Sequence, residues 1–135
     1  MKTLLATAAV IGALTSPVLA GNSAKTMSTD FVGDWCFGDG YDAQTKETNY
    51  RLPSWTEDGQ CDKTKILSIA KYGFRLEYWD VYCDVVSARH TSNTASSGTA
   101  YTAKVTASCS RSGNWTPTVK TFEFNRYKGN LYVKG

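Results

Sequence analysis

The sequence predicts an all-β domain: a small antiparallel barrel or sandwich of about seven to eight strands, stapled by two disulfides. Three observations carry this expectation. Residues Tyr101 to Ser110 alternate strictly, with Tyr101, Ala103, Val105, Ala107 and Cys109 on one face and Thr102, Lys104, Thr106, Ser108 and Ser110 on the other. That is the period of a half-buried strand. Gly-rich turn signals punctuate the chain at near-regular spacing, and no 3.6-residue apolar pattern appears after the first segment. Finally, Cys36, Cys61, Cys83 and Cys109 form an even set, widely spaced.

The chain opens as a targeting segment. Lys2 supplies a positive start, Leu4 to Leu14 is an apolar run, Pro17 breaks it, and Val18-Leu19-Ala20 offers small residues at the exit. This pattern predicts a secretory signal over residues 1–20, cut after Ala20. The apolar run is shorter than the roughly 20 residues a spanning helix needs. Residues 21–29 are polar and small and are expected to form a flexible arm. Residues 30–135 are expected to form a single β domain, periplasmic or secreted.

Within that domain Phe31 to Phe37 reads as a short strand ended by a turn at Gly38-Asp39-Gly40. Thr48 to Leu52 follows and stops at Pro53, and Glu57-Asp58-Gly59 marks another turn. Lys65 to Ala70 is a strand closed by Lys71-Tyr72-Gly73. A long strand is expected from Phe74 to about Ala88. Its apolar phase changes between Phe74, Leu76, Tyr78 and Trp79, Val81, Cys83, Val85, which predicts a bulge or bend near Tyr78 to Asp80. Arg89 to Gly98, rich in Ser, Thr and Asn, reads as a flexible loop. Tyr101 to Ser110 is turned by Arg111-Ser112-Gly113-Asn114. Thr118 to Tyr127 and Asn130 to Lys134 form a hairpin around Lys128-Gly129.

An even cysteine count behind a secretory signal implies disulfides. Zinc would want cysteines a few residues apart or histidines nearby, and His90 is the sole histidine. Four cysteines allow three connectivities. The inward parity of Cys83 and Cys109, in strands joined by one loop, favours Cys83–Cys109 and leaves Cys36 with Cys61.

The formal charge of +3 is small and the basic residues are scattered. A mixed solvated surface is expected, with no nucleic-acid partner. The expected molecule is a monomer with no membrane span and no cofactor.

Side chains with possible chemistry are few. His90 lies near Ser87, Ser92, Ser96 and Ser97, but no nucleophile elbow surrounds any of them, so a solvated His90 is expected. Asp34, Asp39, Asp42 and Glu47 cluster near the first turn. Paired carboxylates serve glycoside hydrolysis or calcium binding, yet turn chemistry accounts for them at lower cost. Aromatics are in excess: Tyr72, Phe74, Tyr78, Trp79 and Tyr82 in one region, Trp115, Phe122, Phe124, Tyr127 and Tyr132 in another. Beyond core packing, those beside Arg75 or Arg126 offer a stacking platform, a pocket in a barrel mouth or a protein-binding face.

The opening FVGDWC and the closing FEFNRYKGNLYVKG resemble small exported proteins of alphaproteobacteria that begin with a Phe-x-Gly-x-Trp-Cys segment and end in a Gly-centred hairpin. That resemblance implies an exported β protein and no particular activity. Gly33-Asp34-Trp35 is also similar to the first strand of lipocalin-type barrels and of periplasmic metalloprotease inhibitors. The likeness implies that Trp35 plugs one end of a barrel and that Arg126 packs over it. Independently of it, Gly33 permits close backbone approach and Trp35 is a large apolar body that needs a core. The function expected from these readings is a non-enzymatic protein-binding or inhibitory module of the bacterial envelope. A barrel that binds a small apolar or sugar ligand is the alternative, and an envelope-sugar hydrolase ranks below both.

Overall fold

The computed structural model describes residues 23–56, 59–76 and 80–135. It contains β1 (Ser23–Ala24), β2 (Gly33–Asp42), β3 (Glu47–Arg51), β4 (Ile66–Ile69), β5 (Gly73–Leu76), β6 (Val81–Ala95), β7 (Gly98–Arg111), β8 (Asn114–Tyr127) and β9 (Asn130–Lys134), with one 3-10 turn at Pro53–Trp55. The strands run in the order β1-β6-β5-β4-β2-β3-β9-β8-β7, and β7 pairs back onto β6. Eight strands therefore close into an antiparallel barrel, with β1 added beside β6. Closure removes most of the free edges an open sheet of this size would present.

From β4 to β9 each strand pairs with the next, as a meander does. The departure lies at the start. β2 sits between β3 and β4, with Cys36 opposite Arg51 on one side and Ile66 on the other. The crossover from β3 to β4 passes outside β2, and the Cys36–Cys61 disulfide pins it there. The second disulfide, Cys83–Cys109, joins directly opposed positions of β6 and β7. All four cysteines are thereby used, which leaves no thiolate for zinc.

Alternation sets the core. Ala103, Val105, Ala107 and Cys109 of β7 point inward, as do Leu131 and Val133 of β9 and Phe122 and Phe124 of β8. The small alanines leave room for rings: Phe74 meets Phe122 and Phe124 edge-on, each at 5.2 Å between centroids. Trp35, Phe31, Phe124, Leu67, Leu131 and Val105 are fully buried.

Several expectations change. Gly38-Asp39-Gly40 is not a turn; β2 continues to Asp42, and the register slips between Phe37 and Gly40. Gly38 packs against Asn49, where a Cβ would collide with its side chain, and Gly40 takes a φ of +106°. Both glycines serve a bulge, and the chain reverses only at residues 43–46. The strand expected from Phe74 to Ala88 is two strands: Leu76 pairs with Val81 and Gly73 with Asp84. The phase change is thus a reversal rather than a bend. Its residues 77–79, including Tyr78 and Trp79, lie outside the described residues, and Asp80 leaves it at a φ of +53°. A true bulge does occur in β6, between Val85 and Ser87. It turns Val86 outward and lets Cys83, Val85 and Ala88 all face the core. Asp58 and the side chain of Asp39 also lie outside the described residues.

Arg89 to Gly98 is no loop. It is the distal half of the β6–β7 hairpin, turned by Ser96 and Ser97, with Thr94 and Thr99 hydroxyls 3.1 Å apart across it. Its polar composition reflects exposure of both faces rather than lack of pairing. At the opposite tip β8 starts at Asn114, and residues 114–120 are likewise exposed. The expected free arm is docked: Ser23 and Ala24 pair with Arg89 and Ala88, and the buried Met27 donates its N–H to the Lys71 carbonyl at 2.8 Å.

Candidate functional site

The two ends of the barrel are finished differently. At the end near the β8–β9 turn, the segment ahead of β2 folds across the opening. Phe31 inserts into the core and its carbonyl accepts a hydrogen bond from Trp35 Nε1 at 2.9 Å. Arg126 shares the inward parity of Phe122 and Phe124, and its guanidinium lies over the Trp35 indole, 5.1 Å from the ring centroid. Arg126 Nη1 donates to the Asp30 carbonyl, and Nε to the Lys128 carbonyl at 2.9 Å. An inward cation is thus matched by two carbonyls and a π face.

His90 belongs to the same plug. It sits on β6 opposite Ala103 rather than in a loop, and its Nε2 accepts the Ser28 N–H at 3.1 Å. The lone pair a general base would use is engaged. Burial pulls the imidazole below its ordinary value, with the Asp30 carboxylate opposing.

At the other end no comparable plug is found among the described residues. Above Phe122 and Val133 the interior widens into a cavity of about 330 Å³, at the lower end of the roughly 300–1,000 Å³ typical of small-molecule sites. Leu76, Val81, Phe122 and Val133 form its apolar wall, and Tyr50 and Thr48 enter from β3. Burial keeps the Tyr50 phenol neutral, well above its usual range. Lys46, Arg111 and Lys120 stand around the mouth with Tyr41. Lys46 takes a φ of +65° in the β2–β3 turn. Arg111 continues the inward row of β7, and Lys120 that of β8.

Of the acidic cluster, Asp34, Asp42 and Glu47 do not line this cavity. Asp34 accepts the Ser68 hydroxyl at 2.9 Å, and Asp42 accepts the backbone N–H groups of Gln44 and Thr45, which builds the turn. Asp42 and Glu47 are cross-strand partners beside an outer cleft. The aromatics divide. Phe74, Phe122 and Phe124 are core; Tyr82 lies outside, its ring tilted against Trp115 at 5.6 Å and under Arg75 at 4.7 Å. The sequence pattern does not single out Lys46, Arg111 or Lys120. For two of them a signal was present, since charges at 111 and 120 share parity with Cys109 and Phe122.

Fold and site together define a disulfide-stapled eight-stranded β-barrel, plugged at one end and, among the described residues, carrying a cavity at the other. Comparison of the chain with protein-family models, with curated proteins and with solved structures gives no significant match. Two disulfides fit maturation in an oxidising compartment. Among the described residues no helix is long and apolar enough to cross a membrane.

Proposed function

We propose that this chain is an exported barrel that holds a small, largely apolar molecule in its open end. The observation that carries this reading is the asymmetry of the interior. At the Trp35 end buried side chains fill the interior and the cleft left outside them, about 260 Å³, is lined mainly by polar groups such as Ser28, Asp30 and His90, while at the Leu76–Val133 end the unfilled space is walled by apolar side chains. Interiors are otherwise packed to crystal density. An apolar void open to solvent forfeits dispersion contacts that a ligand restores. A rigid scaffold with few ordering costs on binding suits such a role. The export signal and the disulfides support a location outside the cytoplasm.

The test is titration with N-phenylnaphthylamine, a neutral probe that brightens in apolar surroundings. Wild-type protein is expected to brighten it, and Leu76→Trp, with Val81→Trp as a second blocking variant, to abolish the signal. No brightening by the folded wild type, or full brightening by both variants, overturns the reading.

One observation favours a second reading, a protein-binding or inhibitory module. Arg75, Tyr82 and Trp115 form a strip across the outer face of β5, β6 and β8, with Trp115 60% exposed. Aromatics and arginine are the side chains enriched at binding hot spots. Loss of capture of a specific envelope protein by Trp115→Ala would mark this strip as the contact.

A further inference from the structure

Resting on the ligand-binding reading, we infer that the open cavity selects amphiphiles with an anionic head: the apolar body lies against Leu76, Phe122 and Val133, and the head sits among Lys46, Arg111 and Lys120.

Three observations converge. The first is parity. Lys120 lies on the face of β8 that carries Phe122, Phe124 and Arg126, and Arg111 extends the face of β7 that carries Val105, Ala107 and Cys109. At the mouth, where both strands run beyond the packed core, that parity turns the two charges toward the cavity, and solvent meets them there. The second is the contrast between the two ends. Arg126, the inward cation of the plugged end, is met by the Asp30 and Lys128 carbonyls and the Trp35 ring. Among the described residues the side chains of Lys46, Arg111 and Lys120 have no such partner. The third is sign. Among the described residues no Asp or Glu side chain lines the cavity. Gly135 closes one side of the mouth.

The lining thus grades from apolar depth to cationic rim, complementary to a tail with a carboxylate, sulfonate or sulfate at one end. The three cations are solvent-exposed, so each contributes modestly and is screened by salt. Their joint effect is expected at about tenfold or more in affinity at low ionic strength.

A matched pair of probes reads this out: N-phenylnaphthylamine and its sulfonated counterpart, anilinonaphthalene sulfonate, which share one aromatic body. The wild type is expected to bind the sulfonate at least about tenfold tighter than the neutral probe at low salt, with the gap narrowing as salt rises. Leu76→Trp is expected to block both. The triple variant Lys46→Ala, Arg111→Ala, Lys120→Ala should bring the sulfonate down to the affinity of the neutral probe. A charge-keeping set, Lys46→Arg, Arg111→Lys and Lys120→Arg, should retain the gap and controls for folding.

If the neutral probe binds and is blocked by Leu76→Trp but the sulfonate gains nothing, the anion inference fails while the cavity reading stands. A gap that survives the triple variant also overturns it. Failure of both probes to bind removes the cavity reading and this inference with it. Ahead of Glu123 the β9 side of β8 has no partner strand among the described residues, and Pro117 and Lys120 lie in that stretch. Inward charges on such edges also discourage strand addition. Self-association of Lys120→Ala with an unchanged probe gap would assign the lysine that role and overturn the inference.

Discussion

Arg126 stacks over Trp35 and at the same time holds the Asp30 carbonyl, so a single side chain ties β2, the last hairpin and the segment between β1 and β2 into one plug. Removing it leaves the Asp30 carbonyl without its charged donor and uncovers the indole. Arg126→Ala is expected to lower stability by about 1–3 kcal/mol. Trp35→Ala, at a position with no solvent exposure, is expected to cost about 3–5 kcal/mol. Urea denaturation of both single variants and the double variant should reveal a coupling of about 0.5–2 kcal/mol. Additive losses would mean the stacking contributes nothing beyond proximity.

The two disulfides should differ in what their loss does. Each closes a loop of similar length, with separations of 25 and 26 residues. Chain entropy alone therefore assigns each about 3.5 kcal/mol. Cys83–Cys109 joins positions the β6–β7 ladder already opposes and lies inside the barrel. Cys36–Cys61 instead anchors a crossover that passes outside β2. Replacing Cys36 and Cys61 with Ser is expected to expose residues 56–65 to limited proteolysis while the β6–β7 hairpin stays protected. Replacing Cys83 and Cys109 with Ala should lower global stability more and leave the crossover protected. Identical digestion patterns for the two pairs would contradict this division.

Acid should loosen the plug. His90 has its imidazole pulled below the ordinary value of 6.5, chiefly by burial. A group with a depressed native value binds fewer protons folded than unfolded, so stability is full above 6.5 and is lost as pH falls through the folded value. Protonation also converts Nε2 from the acceptor of the Ser28 N–H into a donor. Thermal melts between about pH 7.5 and about pH 5 should fall more steeply for the wild type than for His90→Gln. Parallel slopes would show that other carboxylates govern the acid limb.

Much of the barrel was legible along the chain. The inward row of β7, the pairing of Cys83 with Cys109, the final hairpin at Lys128-Gly129 and the stop at Pro53 all follow from local alternation and turn chemistry. Errors fell where a local signal has two structural uses. Gly38 and Gly40 suit a turn or a bulge, and only the Asn49 side chain across β3 selects the bulge. Polar Arg89 to Gly98 suits a loop or a hairpin that overhangs the core. The phase change after Leu76 suits a bend or a reversal, and pairing of Leu76 with Val81 selects the reversal.

By itself the sequence determined that the domain is all-β, which face of β7 turns inward and that Trp35 needs a core, because alternation and side-chain size are properties of the chain taken locally. Only the tertiary structure decided that β2 lies between β3 and β4, that residues 25–32 seal one end, and that Lys46, Arg111 and Lys120 meet around a cavity at the other. The physical reason is that parity assigns a residue to a face but not to a neighbour. Neighbours are settled by closure, when strands far apart in the chain must share one register around a single interior.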